Sequence, residues 1–148
     1  MTHPEIRLIG LTGIPEVGPG DDIAKMILDA AIAQKTPILD GDIIVVTQKV
    51  VSKAEGRTVS LHDINPSPFA IEFALRWDKD PRHVEVILQE SRRIVRMDRG
   101  VLICETHHGF VCANAGVDQS NIPGVEQLCL LPIDPDASAR TLKKTIYH

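Results

Sequence analysis

Gly109-Phe-Val-Cys-Ala-Asn-Ala-Gly-Val-Asp-Gln-Ser-Asn121 reads as a short apolar strand that turns into a polar loop. Phe110, Val111, Cys112 and Ala113 follow a turn at His108-Gly109 and predict a buried strand. Gly116 admits backbone angles closed to other residues, so the chain can bend sharply there. Asp118, Ser120 and Asn121 then bring a carboxylate, a hydroxyl and an amide close together. Oxygen-bearing side chains behind a glycine bend suit a hard cation or a phosphate. The same residues equally suit a turn in which Asp118 and Asn121 bond only the nearby backbone.

Upstream, Glu5 to Leu11 alternates loosely and predicts a first strand. Thr12-Gly-Ile-Pro-Glu-Val-Gly-Pro-Gly20 is a turning loop stiffened by two prolines. Asp21 or Asp22 caps a helix whose buried face carries Ile23, Met26, Ile27, Ala30 and Ala31, and which ends before Pro37. After a turn at Asp40-Gly-Asp42, the β-branched run Ile43-Ile-Val-Val46 predicts a strand buried on both faces. Thr47 to Arg57 then reads as a polar loop at the end of that strand, where α/β proteins often hold ligands. Lys49, Lys53 and Arg57 place positive charge in it, and Lys53 suits a phosphate; a solvated loop is the plainer reading.

Further on, Ser67 starts a helix with Ala70, Phe73, Ala74 and Trp77 on its core face. Asp80-Pro81 caps a second helix, with Val84, Ile87 and Leu88 inward. Arg93–Met97 and Val101–Cys104 form a hairpin around Asp98-Arg-Gly100, and Phe110–Ala113 adds a strand. His107 and His108 are adjacent, which fits a turn better than a metal site. Gln127–Pro132 is an apolar strand. Asp134 caps a last helix carrying Leu142 and Ile146 on one face, and that helix reaches His148 without a stop signal.

The chain has 148 residues, enough for one domain with a core, at 43% apolar and 24% charged content. The net charge of −4 gives no electrostatic grip on nucleic acid or anionic membrane. Arg92, Arg93, Arg96 and Arg99 cluster, but no aromatic residue is interleaved with them, and they read as a solvated junction. Cys104, Cys112 and Cys129 are odd in number and lack metal-ligand spacing, which predicts buried free thiols in a reducing compartment. No leader and no membrane-spanning apolar run are present, so the expected location is cytoplasmic.

Six motifs occur in a telling order: Gly13-Ile-Pro15, Pro19-Gly-Asp-Asp22, Asp40-Gly-Asp42, Ser52-Lys-Ala-Glu-Gly-Arg57, Asn114-Ala-Gly-Val-Asp-Gln-Ser-Asn121 and Leu131-Pro-Ile-Asp-Pro-Asp-Ala-Ser138. Together they closely resemble the amino-terminal part of the coenzyme F420:L-glutamate ligases, over nearly the whole chain. The resemblance implies an α+β fold peculiar to that family, a mixed sheet with flanking helices, in a homodimer. Residues 1–148 would form its amino-terminal part, with a carboxy-terminal half to follow. It implies GTP as co-substrate, Mn2+ or Mg2+ with K+ as cofactors, and L-glutamate and a deazaflavin precursor as the groups joined. The expected reaction makes an amide through an acyl phosphate and then adds a γ-linked glutamate.

Residue by residue, the resemblance places nucleotide on Gly13, Ile14, Pro15, Glu16, Gln48, Lys49, Lys53 and Asn121, and a metal on Asp118. Lys53 and Asp118 would carry the chemistry, with Asp118 facing a pocket shared with the Gly13 bend and the Lys53 amine. A hard cation wants about six oxygens, so with Asp118 alone the chain is expected to bind GTP poorly and not to catalyse ligation. Two other readings stand beside it. One is a non-catalytic nucleotide-binding or assembly module of the same fold. The other is a thiol enzyme using Cys112, for which no histidine is clearly placed as activator.

Overall fold

The computed structural model describes residues 5–119 and 126–147. Helices and short antiparallel strands alternate along the chain, so the α+β class holds. Among the described residues the strands form two separate antiparallel sheets rather than one mixed sheet.

Helix α1 (Ile23–Ala33) starts where Asp22 accepts the Lys25 N–H at 3.0 Å. Its buried face is Ile23, Ala24, Ile27, Ala30 and Ala31, as the spacing predicts, with Met26 half-buried. Helix α2 (Gln48–Ala54) occupies most of the stretch expected to be a loop. Strand β1 (Thr58–Ser60) follows it and pairs with β6 (Gln127–Cys129), which also pairs with β5 (Asp118–Gln119). Helix α3 (Pro68–Trp77) is capped by Ser67 and helix α4 (Pro81–Gln89) by Asp80, each with proline at its start.

The hairpin of β2 (Ser91–Asp98) and β3 (Val101–Thr106) turns at Arg99-Gly100, both at positive φ, the turn that suits the right-handed twist of two paired strands. Strand β4 (Val111–Ala113) pairs with β3, and α5 (Pro135–Tyr147) closes the described chain. One core joins α3, α4, β3, the 114–117 bend and β6; Leu102 and Leu128 are fully buried in it. Burying each such leucine contributes about 2–3 kcal/mol.

Several expectations fail, each for a non-local reason. Residues 5–11 and 43–46 form no strand among the described residues, and Ile6, Leu8, Ile43 and Val45 are exposed. A strand needs a neighbour for its N–H and C=O groups, and β-branched content cannot supply one. The expected buried strand 110–113 narrows to β4 and is not buried: Val111, and Phe110 just before it, are more than half exposed, because β4 is the edge of its sheet and nothing described covers its outer face. Phe73 is buried, but Trp77 is 37% exposed, and both line a groove of about 320 Å³ with Phe69, Arg76 and Met97. Leu142 and Ile146 share a face of α5, but no residue of that helix is fully buried. Cys104 and Cys129 are buried free thiols, whereas Cys112 is half-buried.

Candidate functional site

Turning 47–57 from loop to helix changes what its cations can do. Lys49 and Lys53 lie one turn apart on α2, so both amines project from one face. Lys49 Nζ is 2.6 Å from the Asp118 carboxylate and donates to the Gln119 carbonyl at 3.3 Å. Lys53 Nζ pairs with the Glu16 carboxylate from the 12–20 loop. Three separate stretches, 13–16, 48–53 and 118–119, therefore meet along one helix face in the order Asp118, Lys49, Lys53, Glu16.

The local chemistry holds this line in place. At Gly13, φ is +79° and nothing approaches within 4 Å of where a Cβ would stand, so the bend before Glu16 is open to solvent. Gln48 turns the other way and donates to Ser52 Oγ at 2.7 Å and to the Leu130 carbonyl at 3.1 Å, tying α2 to the end of β6. Beneath it, Ser52 is fully buried. Asp118 Oδ1 accepts the Gln119 N–H at 2.8 Å, so its local-turn role and its outward role coexist. The bond from Lys49 holds the Asp118 carboxyl below its ordinary range.

The pairs are not equally exposed. The Lys53 side chain is 16% exposed and that of Glu16 75%, so a largely sheltered cation meets a solvent-facing carboxylate.

Some expected members do not join. Arg57 turns to Glu90 at 2.9 Å and to the Leu131 carbonyl at 2.9 Å, so only two of the three cations share the face. Asp118 and Lys53 make no direct contact; Lys49 stands between them in the chain of pairs. A groove of about 1010 Å³ takes in Gln48 and Val51 of α2 but neither Asp118 nor Lys53, and the groove beside Trp77 takes in none of these residues. Ser120 and Asn121 lie outside the described residues. His107 and His108 sit in the turn, their Nε2 atoms 3.0 Å and 2.8 Å from the carbonyls of Gln89 and Pro132. Burial pushes the Cys112 thiol up, which suppresses the nucleophilic thiolate.

Sequence reasoning missed His83. It lies on α4 close enough to feel the Asp118 charge, its Nε2 is buried without a partner among the described residues, and burial pushes its pKa down. Only the packing of α4 on the 114–117 bend brings it there, and no local pattern signals that.

A family model described as F420-0:Gamma-glutamyl ligase matches residues 12–148. The chain belongs to that family. Among relatives named coenzyme F420:L-glutamate ligase, the one from Methanothermobacter thermautotrophicus is 50% identical over 142 residues, covering 95% of this chain and 56% of the relative. Those from Methanopyrus kandleri and Methanocaldococcus jannaschii are 46% and 44% identical, each with 54% of its own length covered. This F420-0:Gamma-glutamyl ligase family chain thus spans about half the length of the relatives it matches. No helix of the described residues is long and apolar enough to cross a membrane.

Proposed function

We propose that the chain carries part of a GTP-dependent ligase that joins L-glutamate to the deazaflavin precursor of coenzyme F420 and then adds a γ-linked glutamate. The reading places it in the cytoplasm as a homodimer. One observation carries it: two lysines on one face of α2, each bridged to a carboxylate from a separate segment, with the Glu16 side chain facing solvent. Family membership and the relatives' printed names supply the reaction class.

In this reading the precursor's carboxylate attacks the γ-phosphorus of GTP, and GDP leaves with the electrons of the broken P–O bond. The glutamate amine then attacks the acyl phosphate carbon and loses a proton, and phosphate departs. Two anions must approach in the first step, so positive charge has to be fixed beside them. Lys53 exchanges Glu16 for a phosphate oxygen, and Lys49 adds a second charge one turn away. Backbone N–H groups near Gly13 lie at the same end of the helix face and suit phosphate oxygens.

The divalent cation of this reading, Mn2+ or Mg2+ assisted by K+, would screen phosphate charge. Among the described residues no three His, Cys, Asp or Glu side chains stand close enough to hold a metal, and Lys49 already pairs with Asp118. That donor set does not fit a six-oxygen cation by itself. Asp118 is one ligand at most, and the steps assigned to this chain are those its lysines perform.

The same poverty of donors favours a second reading, a nucleotide-binding or assembly module without turnover. Labelled GTP titrated into the chain with Mn2+ tests the first. Lys53→Ala should weaken binding about 10-fold or more, the worth of one charged hydrogen bond to phosphate. Unchanged affinity removes Lys53 from the site. Glutamate-dependent phosphate release from GTP, with the precursor and with the portion of the Methanothermobacter thermautotrophicus relative that this chain does not match, separates the two: turnover supports the ligase, and nucleotide binding without turnover supports the module.

A further inference from the structure

An apolar groove of about 1010 Å³ lies between α1, the 37–46 segment and α5. Leu28 and Ile32 line one wall, Leu142 and Ile146 the other, and residues 43–46 run along it. Exposure alternates in that run: Ile43 and Val45 are 88% and 85% exposed, whereas Ile44 is 39% and Val46 is half-buried. A period of two is that of a strand with one face on a surface and the other open. Yet 43–46 joins no sheet among the described residues. Ile6 and Leu8 are also bare. A contiguous apolar surface of this extent, beside an unpaired β-branched edge, marks a contact site.

The relatives indicate what covers it. Nearly half the length of each lies outside the part that these 148 residues match. We propose that the groove seats polypeptide equivalent to that unmatched portion, which pairs a strand with residues 43–46 and lays apolar side chains between α1 and α5. Strand addition satisfies the free backbone groups and covers Ile43 and Val45 in one step. The run leads through Thr47 directly into α2, so seating the partner also anchors the helix that carries Lys49 and Lys53. The inference rests on family membership and the groove, not on GTP or ligation.

Amide hydrogen exchange on the whole 148-residue chain tests it. The probe is the unmatched portion of the Methanothermobacter thermautotrophicus relative, added as a separate polypeptide or co-expressed where it does not fold alone. The amides of Ile43 to Val46 should exchange freely in the chain alone and slow at least 100-fold with the probe, while those in the centre of α4 stay unchanged. Val45→Lys, at an exposed position, should leave the chain's own melting unaltered and abolish the protection. Failure to co-purify, or a bound probe that leaves 43–46 unprotected, overturns the proposal. Protection that appears merely on concentrating the chain makes a second copy the occupant and also overturns it. None of these readouts uses nucleotide, so the outcome is independent of the Lys53 experiment.

Discussion

Gly116 sets the bend that delivers Asp118, and replacing it by alanine should be costly for two separable reasons. Its φ is +72°, where an L side chain adds about 1–2 kcal/mol of strain. A Cβ there would stand 3.0 Å from three atoms of the Leu131 side chain, tighter than ordinary contact. Crowding a packed site in this way costs about 1–3 kcal/mol more. The two together predict a loss of about 2–5 kcal/mol, a large share of the usual stability of a domain. Gly109 is the matched control: its φ is +87° and nothing lies within 4 Å of its Cβ position. Gly109→Ala should therefore lose only the backbone share, about 1–2 kcal/mol. Urea unfolding followed by circular dichroism measures both, with an unchanged slope as the check on two-state behaviour. Introducing Leu131→Ala should reduce the cost of Gly116→Ala to that of Gly109→Ala. Equal losses at the two glycines, or no relief from Leu131→Ala, would refute the packing argument.

Three further outcomes can be checked. Gln48→Ala should lower stability by about 1–2 kcal/mol without any nucleotide present, because it breaks the tie from α2 to the Leu130 carbonyl; an unchanged melting curve would show that tie to be dispensable. Leu128→Ala should cost about 3–4 kcal/mol by equilibrium unfolding, since that side chain is fully buried between the sheet and the core. The hydrogen bond from Arg82 holds the Asp80 carboxyl below its ordinary value of 3.8, so the unfolded chain takes up this proton first as the pH falls. Its contribution, about 0.5 kcal/mol for a partly exposed pair, is complete well above 3.8 and lost as the pH drops through the lowered value. The gap between native protein and Asp80→Asn should close along that acid limb; a constant gap down to pH 2 would show that the charge is not its source.

The elements legible from residues alone share one property: their causes lie within a few residues. Asp22, Ser67 and Asp80 each bond an N–H two or three positions ahead, and Arg99-Gly100 closes a hairpin between strands that adjoin it. Ordered motifs over the whole length likewise pointed to the family before any coordinate. Burial and pairing obey distant partners instead. Ile43–Val46 has the composition of a buried strand but, among the described residues, no neighbour to make it one. Thr47–Arg57 has the composition of a loop, yet Gln48–Ala54 within it is a helix, tied by Gln48 to a carbonyl far along the chain. The site divides the same way. Spacing named Lys49, Lys53 and Asp118 as chemically interesting, but the line from Asp118 through Lys49 and Lys53 to Glu16 exists only because α2 lies across both β5 and the 12–20 loop. Caps and turns are fixed by backbone angles over a few bonds, whereas a charge finds its partner only after the chain has folded back on itself.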